Sequence, residues 1–227
     1  MGRMHVQRAL QMPDGPRAVI ATNRGLERLR TLAADYAGMA QASGRELVAF
    51  SPVQKPERLH VEIERLTGGR GCNDIVVVVP GTAPVAEALP LLAPDGLLMV
   101  FAGTPAGNSV ALPLHQVSLF GAQFTGTSGS TVADQLRVLE KIGSGALSAA
   151  RTTAAIGGMR ALRAGLQAVI EQTYPGKVMI YPQLADLPLL SLPELAQALP
   201  DVARHLAPGP VWTAQAEQAL IDRYWTA

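Results

Sequence analysis

The run Asn73–Pro105, NDIVVVVPGTAPVAEALPLLAPDGLLMVFAGTP, constrains the fold more than any other stretch. Val76 to Val79 is a β-branched run without polar alternation, which suits a strand covered on both faces, as in a parallel sheet. Gly81 and Thr82 end it, and Thr82 is a candidate N-cap. Val85, Ala88, Leu89 and Leu92 then recur at helical spacing. Pro94-Asp95-Gly96 breaks that helix, and Leu97 to Phe101 is a second apolar strand running into Ala102-Gly103-Thr104. Strand, short helix and strand make one βαβ unit with a right-handed crossover. Ligands of such sheets bind at the carboxyl ends of the strands, where Pro80-Gly81 and Ala102-Gly103-Thr104 sit.

The flanking sequence repeats the alternation. Residues 3 to 12 read as a short helix, stopped by Pro13-Asp14-Gly15-Pro16. Ala18 to Ala21 is a brief strand, and Leu26, Leu29, Leu32, Ala33, Tyr36 and Met39 mark a helix to about Ala42. Glu46 to Phe50 is a strand, and Pro56 opens a helix closed by Gly68-Gly69. Beyond the central unit, Ala122 to Thr127 is a strand candidate with Val132, Leu136 and Leu139 on the helix behind it. Strict β/α alternation predicts a doubly wound α/β domain over residues 1 to 144. Arg151 to Ile156 is a candidate strand, Leu162 to Ile170 a helix, and Lys177 to Tyr181 a short final strand. After Pro182 prolines punctuate two helical pieces. Ser191-Leu192-Pro193-Glu194 forms a capping box, and Trp212, Ala216 and Leu220 form a stripe that predicts a tail packed on the main domain.

Composition narrows the function. A charge of +1 implies no nucleic-acid field, and no apolar run approaches the roughly 18 residues of a membrane helix. The N-terminus has no signal-peptide h-region. The single cysteine, Cys72, excludes an internal disulfide and fits a cytoplasmic location. Cys72 and the histidines at 5, 60, 115 and 205 are dispersed without metal-ligand spacing. Ser128 and Ser130 have no paired base and acid nearby, so neither reads as a nucleophile.

Several segments in this order and spacing resemble the cofactor-binding half of the zinc-type medium-chain alcohol and polyol dehydrogenases. They are Met1-Gly2 opening a helix, AVIATNRGLERL (18–29), LTGGRGCNDIVVVVPG (66–81), LLAPDGLLMVFAGTP (91–105) and PGKVMIY (175–181). FTGTSGST (124–131) and AAIGGMRALRAGLQAVIE (154–171) resemble the sorbitol, threonine and sorbose-phosphate reductase-like branch. The resemblance implies a Rossmann-like fold, an NAD(P) cofactor and a secondary-alcohol, polyol or sugar-alcohol substrate. It also implies that Gly2 matches the last glycine of the family's G-x-G-x-x-G fingerprint. The first strand and the earlier glycines would then precede Met1, leaving two half-sheets with unpaired edges. Zinc and the proton relay belong to a catalytic domain outside this sequence, so the expectation is a partial chain with no zinc site and little activity alone. Residues 145–182 correspond to the segment that returns to that domain, and residues 183–227 form the tail.

The same resemblance places the acidic ribose ligand of the family on Asn23, with Arg24 beside it and Arg28 near the adenosine ribose. Neutral Asn23 followed by Arg24 favours NADP over NAD, and the alternative is a helix-entry turn with solvated arginines. Ala102, Gly103 and Thr104 match the loop that contacts nicotinamide, with Pro80 and Gly81 at the preceding strand end. Phe124 and Thr125 match the end of the next strand, and the strand 122–127 matches the edge through which related enzymes form homodimers. Two other readings stand beside this one. One is a catalytically inactive nucleotide-binding or partner-dependent module. The other is a different Rossmann enzyme, such as a methyltransferase, against which the PGKVMIY ending counts.

Overall fold

The computed structural model describes residues 2–53, 56–127 and 129–225, and Ser128 lies outside them. Helix α1, Gly2–Gln11, leads to strand β1, Ala18–Thr22. Helix α2, Leu26–Ala42, returns the chain to β2, Glu46–Phe50, which pairs parallel with β1 from Ala18↔Glu46 to Thr22↔Phe50. Helix α3, Pro56–Thr67, leads to β3, Cys72–Val77. Helix α4, Ala83–Ala88, and a 3-10 turn at Leu89–Leu91 cross to β4, Leu92–Val100. Helix α5, Leu114–Phe120, crosses to β5, Gln123–Gly126, and α6, Val132–Gly143, follows. Strands β3, β4 and β5 are parallel neighbours in that order.

The remainder contains β6, Thr153–Gly158, α7, Leu162–Ile170, and β7, Lys177–Tyr181, which pairs parallel with β6. Strand β8, Leu190–Ser191, adds antiparallel on the other side of β6. Short helices α8, Leu195–Ala198, and α9, Pro200–Ala203, precede α10, Ala214–Tyr224. No helix among the described residues is long and apolar enough to cross a membrane.

Two compact units emerge. Unit 1 comprises Gly2, 16–30 and 44–139, and unit 2 comprises 3–15, 31–43 and 140 onward. Within unit 1 the sheet is interrupted: β1-β2 and β3-β4-β5 are separate sheets, and no ladder joins β1 to β3 among the described residues. The two half-sheets expected from the sequence are present. Val77, Val85, Ala88, Leu89, Leu92, Leu98 and Ala122 form a buried cluster beneath β3 and β4.

In unit 2 the segment after Pro182 is part of the core. Leu192, Leu195, Leu199, Val202, Trp212, Ala216 and Leu220 pack with Ile156, Tyr181, Leu184 and Leu187. The stripe foreseen at Trp212, Ala216 and Leu220 is buried, each residue at 2% exposure or less. The capping box also forms: the Ser191 amide and hydroxyl each donate to Glu194 Oε2 at 2.7 Å.

Three local expectations are corrected. The strand read at Val76–Val79 begins at Cys72 and ends at Val77, because its register follows β4. Pro94-Asp95-Gly96 does not break the chain before β4 but sits inside it as a bulge. The ladder steps from Cys72↔Leu92 to Asp74↔Leu97, with Asp95 at φ 61°. A Cβ on Gly96 would meet Leu92 Cδ1 at 2.8 Å and Ala93 O at 2.9 Å, so the bulge closes only around glycine. Thr82 occupies the N-cap position of α4, but its hydroxyl makes no capping bond, and Pro84 sits in the first turn.

Candidate functional site

All the candidate residues belong to unit 1, and most follow the carboxyl end of a parallel strand. Parallel pairing gathers such turns at one end of each sheet. Asn23 follows β1, where its amide donates to Phe50 O at 3.2 Å and extends the β1-β2 ladder. The Asn23 Oδ1 atom accepts the Gly25 amide at 2.7 Å, an Asx turn that opens α2. Arg24 is exposed, and no carboxylate forms an ion pair with it among the described residues. Arg28 is half-buried, with its Cδ 3.7 Å from where a Cβ on Gly25 would lie.

Gly2 is the first residue of α1, and a Cβ built on it would lie 3.5 Å from Val78 Cγ2, just beyond β3. The opening of this helix and the carboxyl end of β3 are therefore adjacent. Pro80 is exposed and Gly81 has φ 113°. After β4, the amides of Phe101 and Ala102 donate to Val77 O at 3.0 and 3.1 Å, turning the chain back over the end of β3. Gly103 and Thr104 are then exposed, and a Cβ on Gly103 would meet nothing within 4 Å. Phe124 is half-buried against the cluster beneath β3 and β4, while Thr125 is exposed. The geometry links Gly2, Pro80, Gly81 and Ala102 around the end of β3, and links Asn23, Arg24 and Arg28 after β1.

The sequence reading did not single out Gly25 and Val78. Gly25 carries the amide that fixes Asn23, and Val78 lies beside the opening of α1. The Asn-x-Gly spacing at 23–25 is the signal by which Gly25 could have been found.

Other reactive side chains stand apart. Cys72 is half-buried at the start of β3, and burial pushes its thiol up. Burial lowers His5, while His115 lies edge-on to Phe120 at 6.4 Å. The Nε2 atom of His205 accepts from Arg204 Nε at 3.2 Å, and Ser130 Oγ accepts from Gln135 Nε2 at 3.3 Å. Among the described residues, no three His, Cys, Asp or Glu side chains converge as a metal-ligand set. A shallow cavity of about 440 Å³, lined by Arg70, Ala93, Pro94, Asp95, Leu119 and Phe120, lies at the amino end of β4, away from Ala102–Thr104.

Comparison with known proteins agrees with this architecture. The chain is 28% identical over 226 residues to the L-sorbose 1-phosphate reductase of Klebsiella pneumoniae, covering 97% of this chain and 52% of that protein. It is 27% identical over 194 residues to the uncharacterized protein YggP of Escherichia coli, covering 82% of this chain and 45% of that one. The chain thus spans about half the length of the curated relatives it matches. Among solved structures, the alcohol dehydrogenase of Aeropyrum pernix superposes with a TM-score of 0.57 at 20% identity, over 78% of this chain and 46% of that one. The 2R,3R-butanediol dehydrogenase of Bacillus subtilis gives 0.58 at 17% identity, over 79% and 47%. No family model matches the chain.

Proposed function

We propose that this chain, a homologue of L-sorbose 1-phosphate reductase with the cofactor-binding fold of the zinc-type alcohol dehydrogenases, is the NAD(P)-binding portion of an oxidoreductase acting on a polyol, sugar alcohol or other secondary alcohol. The alignment over 97% of the chain is the observation that carries this reading. Residues 1–144 serve as the nucleotide domain, 145–182 as the segment leading to a catalytic domain, and 183–227 as the packed tail. The sole cysteine of the sequence, Cys72, supports a reducing, cytoplasmic location.

The residues present fit a dinucleotide. Gly2 brings the start of α1 against the end of β3, where backbone amides would meet a pyrophosphate. Asn23, Arg24 and Arg28 would hold the adenosine ribose. Pro80, Gly81, Ala102, Gly103, Thr104, Phe124 and Thr125 would orient the nicotinamide. The bound nicotinamide supplies or accepts a hydride. The chain's own residues bind and orient.

Asn23 argues for NADP(H). A carboxylate at that position could accept from both ribose hydroxyls, but Asn23 has one acceptor oxygen and the Gly25 amide already engages it. Arg24 and Arg28 add cationic donors for a 2′-phosphate. Calorimetric titration of the full chain with NADPH is expected to show saturable binding of one nucleotide per chain, and its absence would remove this reading. The residues do not fit zinc, because no ligand set forms among those described. Chelator-washed protein is expected to hold no stoichiometric zinc, and metal analysis returning one tightly bound ion per chain would overturn that.

A second reading, a partner-dependent module without catalysis of its own, is favoured by the open edges of β1 and β3. Under either reading the chain associates with its twin through β5, whose outer edge is unpaired among the described residues.

A further inference from the structure

The bulge in β4 lifts two residues out of the sheet and turns them toward a hollow. Pro94 and Asp95 are exposed, between buried Ala93 and buried Gly96, and the ladder to β3 skips them. A bulge re-aims the side chains it carries, and bulges are over-represented beside functional sites. Two glycines pack this one closely against the start of β3. A Cβ on Gly71 would meet Ala93 N and Leu91 O, each at 2.9 Å, and one on Gly96 would meet Cys72 O at 3.0 Å. Arg70, the neighbour of Gly71, is thereby held beside the bulge, and it lines the same hollow as Pro94 and Asp95.

The volume of the hollow, about 440 Å³, lies within the range of small-molecule sites. Part of its lining is apolar. Ala93 and Pro94 come from the bulge, and Leu119 and Phe120 come from the last turn of α5. Leu119 is 73% and Phe120 50% exposed. Arg70 and Asp95 bring opposite charges to this lining. Among the described residues neither forms an ion pair, with the other or with a third group. Arg70 Nε reaches Thr67 O at 3.5 Å, long for a hydrogen bond. An uncompensated cation and an uncompensated anion therefore flank one apolar surface.

We infer that this hollow is a binding site for a free α-amino acid with a large apolar side chain. A simple anion would pair with Arg70 but face Asp95, and a simple cation would meet the reverse. A zwitterion satisfies both: its carboxylate accepts from the Arg70 guanidinium, and its ammonium donates to the Asp95 carboxylate. Its side chain covers Leu119 and Phe120, apolar surface otherwise left to water. The hollow lies at the amino end of β4, whereas the residues proposed for the dinucleotide follow carboxyl ends, so the two sites share no residue. A shallow site and a small ligand set the affinity in the millimolar range.

The test titrates the full chain with L-phenylalanine and follows backbone amide shifts by NMR. Saturable shifts are expected at Arg70, Asp95, Gly96 and Phe120, with Asn23, Gly81 and Gly103 unmoved. Hydrocinnamate, which lacks the ammonium, and phenethylamine, which lacks the carboxylate, are each expected to bind at least about tenfold more weakly. Arg70→Gln and Asp95→Asn are each expected to weaken L-phenylalanine by about tenfold or more. Both positions are exposed, and asparagine accepts the left-handed backbone at 95, where φ is 61°, so the fold is retained. The two analogues probe the same charges on the unaltered chain. Absence of saturable shifts, shifts confined to other residues, an analogue binding as tightly as L-phenylalanine, or a folded variant with full affinity would each overturn the site.

Discussion

A methyl group on Gly158 would overlap the carbonyl oxygen of Leu184. The backbone there has φ −92°, open to any residue, so glycine is required by proximity and not by conformation. The Gly158 amide also donates to Leu187 O at 2.8 Å, and Leu184 and Leu187 are both 1% exposed. Gly158→Ala must therefore push a buried turn off the end of β6. We expect at least about 3 kcal/mol of destabilisation, the upper end of overpacking costs. Gly103→Ala, where a Cβ meets nothing within 4 Å, is expected to change stability by less than about 0.5 kcal/mol. Urea unfolding midpoints of the two variants check the pair, and equal effects would refute the packing argument. Both glycines look alike in the sequence, since each ends an apolar strand. What separates them is a turn far along the chain, which local pattern does not encode.

Elements were legible where periodicity is strong. The ranges of α2, α3, β2 and β7 follow from apolar spacing and bounding prolines or glycines. Helix α5 escaped sequence reading because its apolar residues serve no buried face: Leu114 is 72%, Leu119 73% and Phe120 50% exposed. Helix α6 was read correctly from Val132, Leu136 and Leu139, yet these are 71%, 55% and 63% exposed. Periodicity reveals that a face is apolar but not what covers it. Strand β5 shows the same incompleteness along its backbone. Ala122 is buried and Phe124 half-buried, while Gln123 and Thr125 face solvent beside an unpaired edge. We expect two copies to pair β5 antiparallel into one continuous sheet. Light scattering at micromolar concentration should give a dimer or larger species, and a cooperatively unfolding monomer would refute it.

At the scale of the whole molecule, the parallel order within each sheet explains why the candidate residues follow strand ends, in two groups whose sheets no ladder joins among the described residues. Asn23, Gly81 and Gly103 are far apart in sequence, but each follows the carboxyl end of a strand in unit 1. The β/α alternation makes those strand ends legible in the sequence. The core of unit 2 was less legible, because its residues come from both sides of Pro182, where a change in composition suggested a boundary. Under the proposed function, unit 1 binds a dinucleotide, and Asn23, Arg24 and Arg28 favour the phosphorylated form. Charge-assisted bonds to the 2′-phosphate are expected to contribute roughly 1.5–3 kcal/mol. Asn23→Asp restores an acceptor for a ribose hydroxyl and repels the phosphate, so it should move the preference toward NADH. The most direct test is the ratio of dissociation constants for NADH and NADPH measured on the full chain. NADPH is expected to bind tighter by about tenfold or more, and equal or tighter binding of NADH would refute the proposed preference.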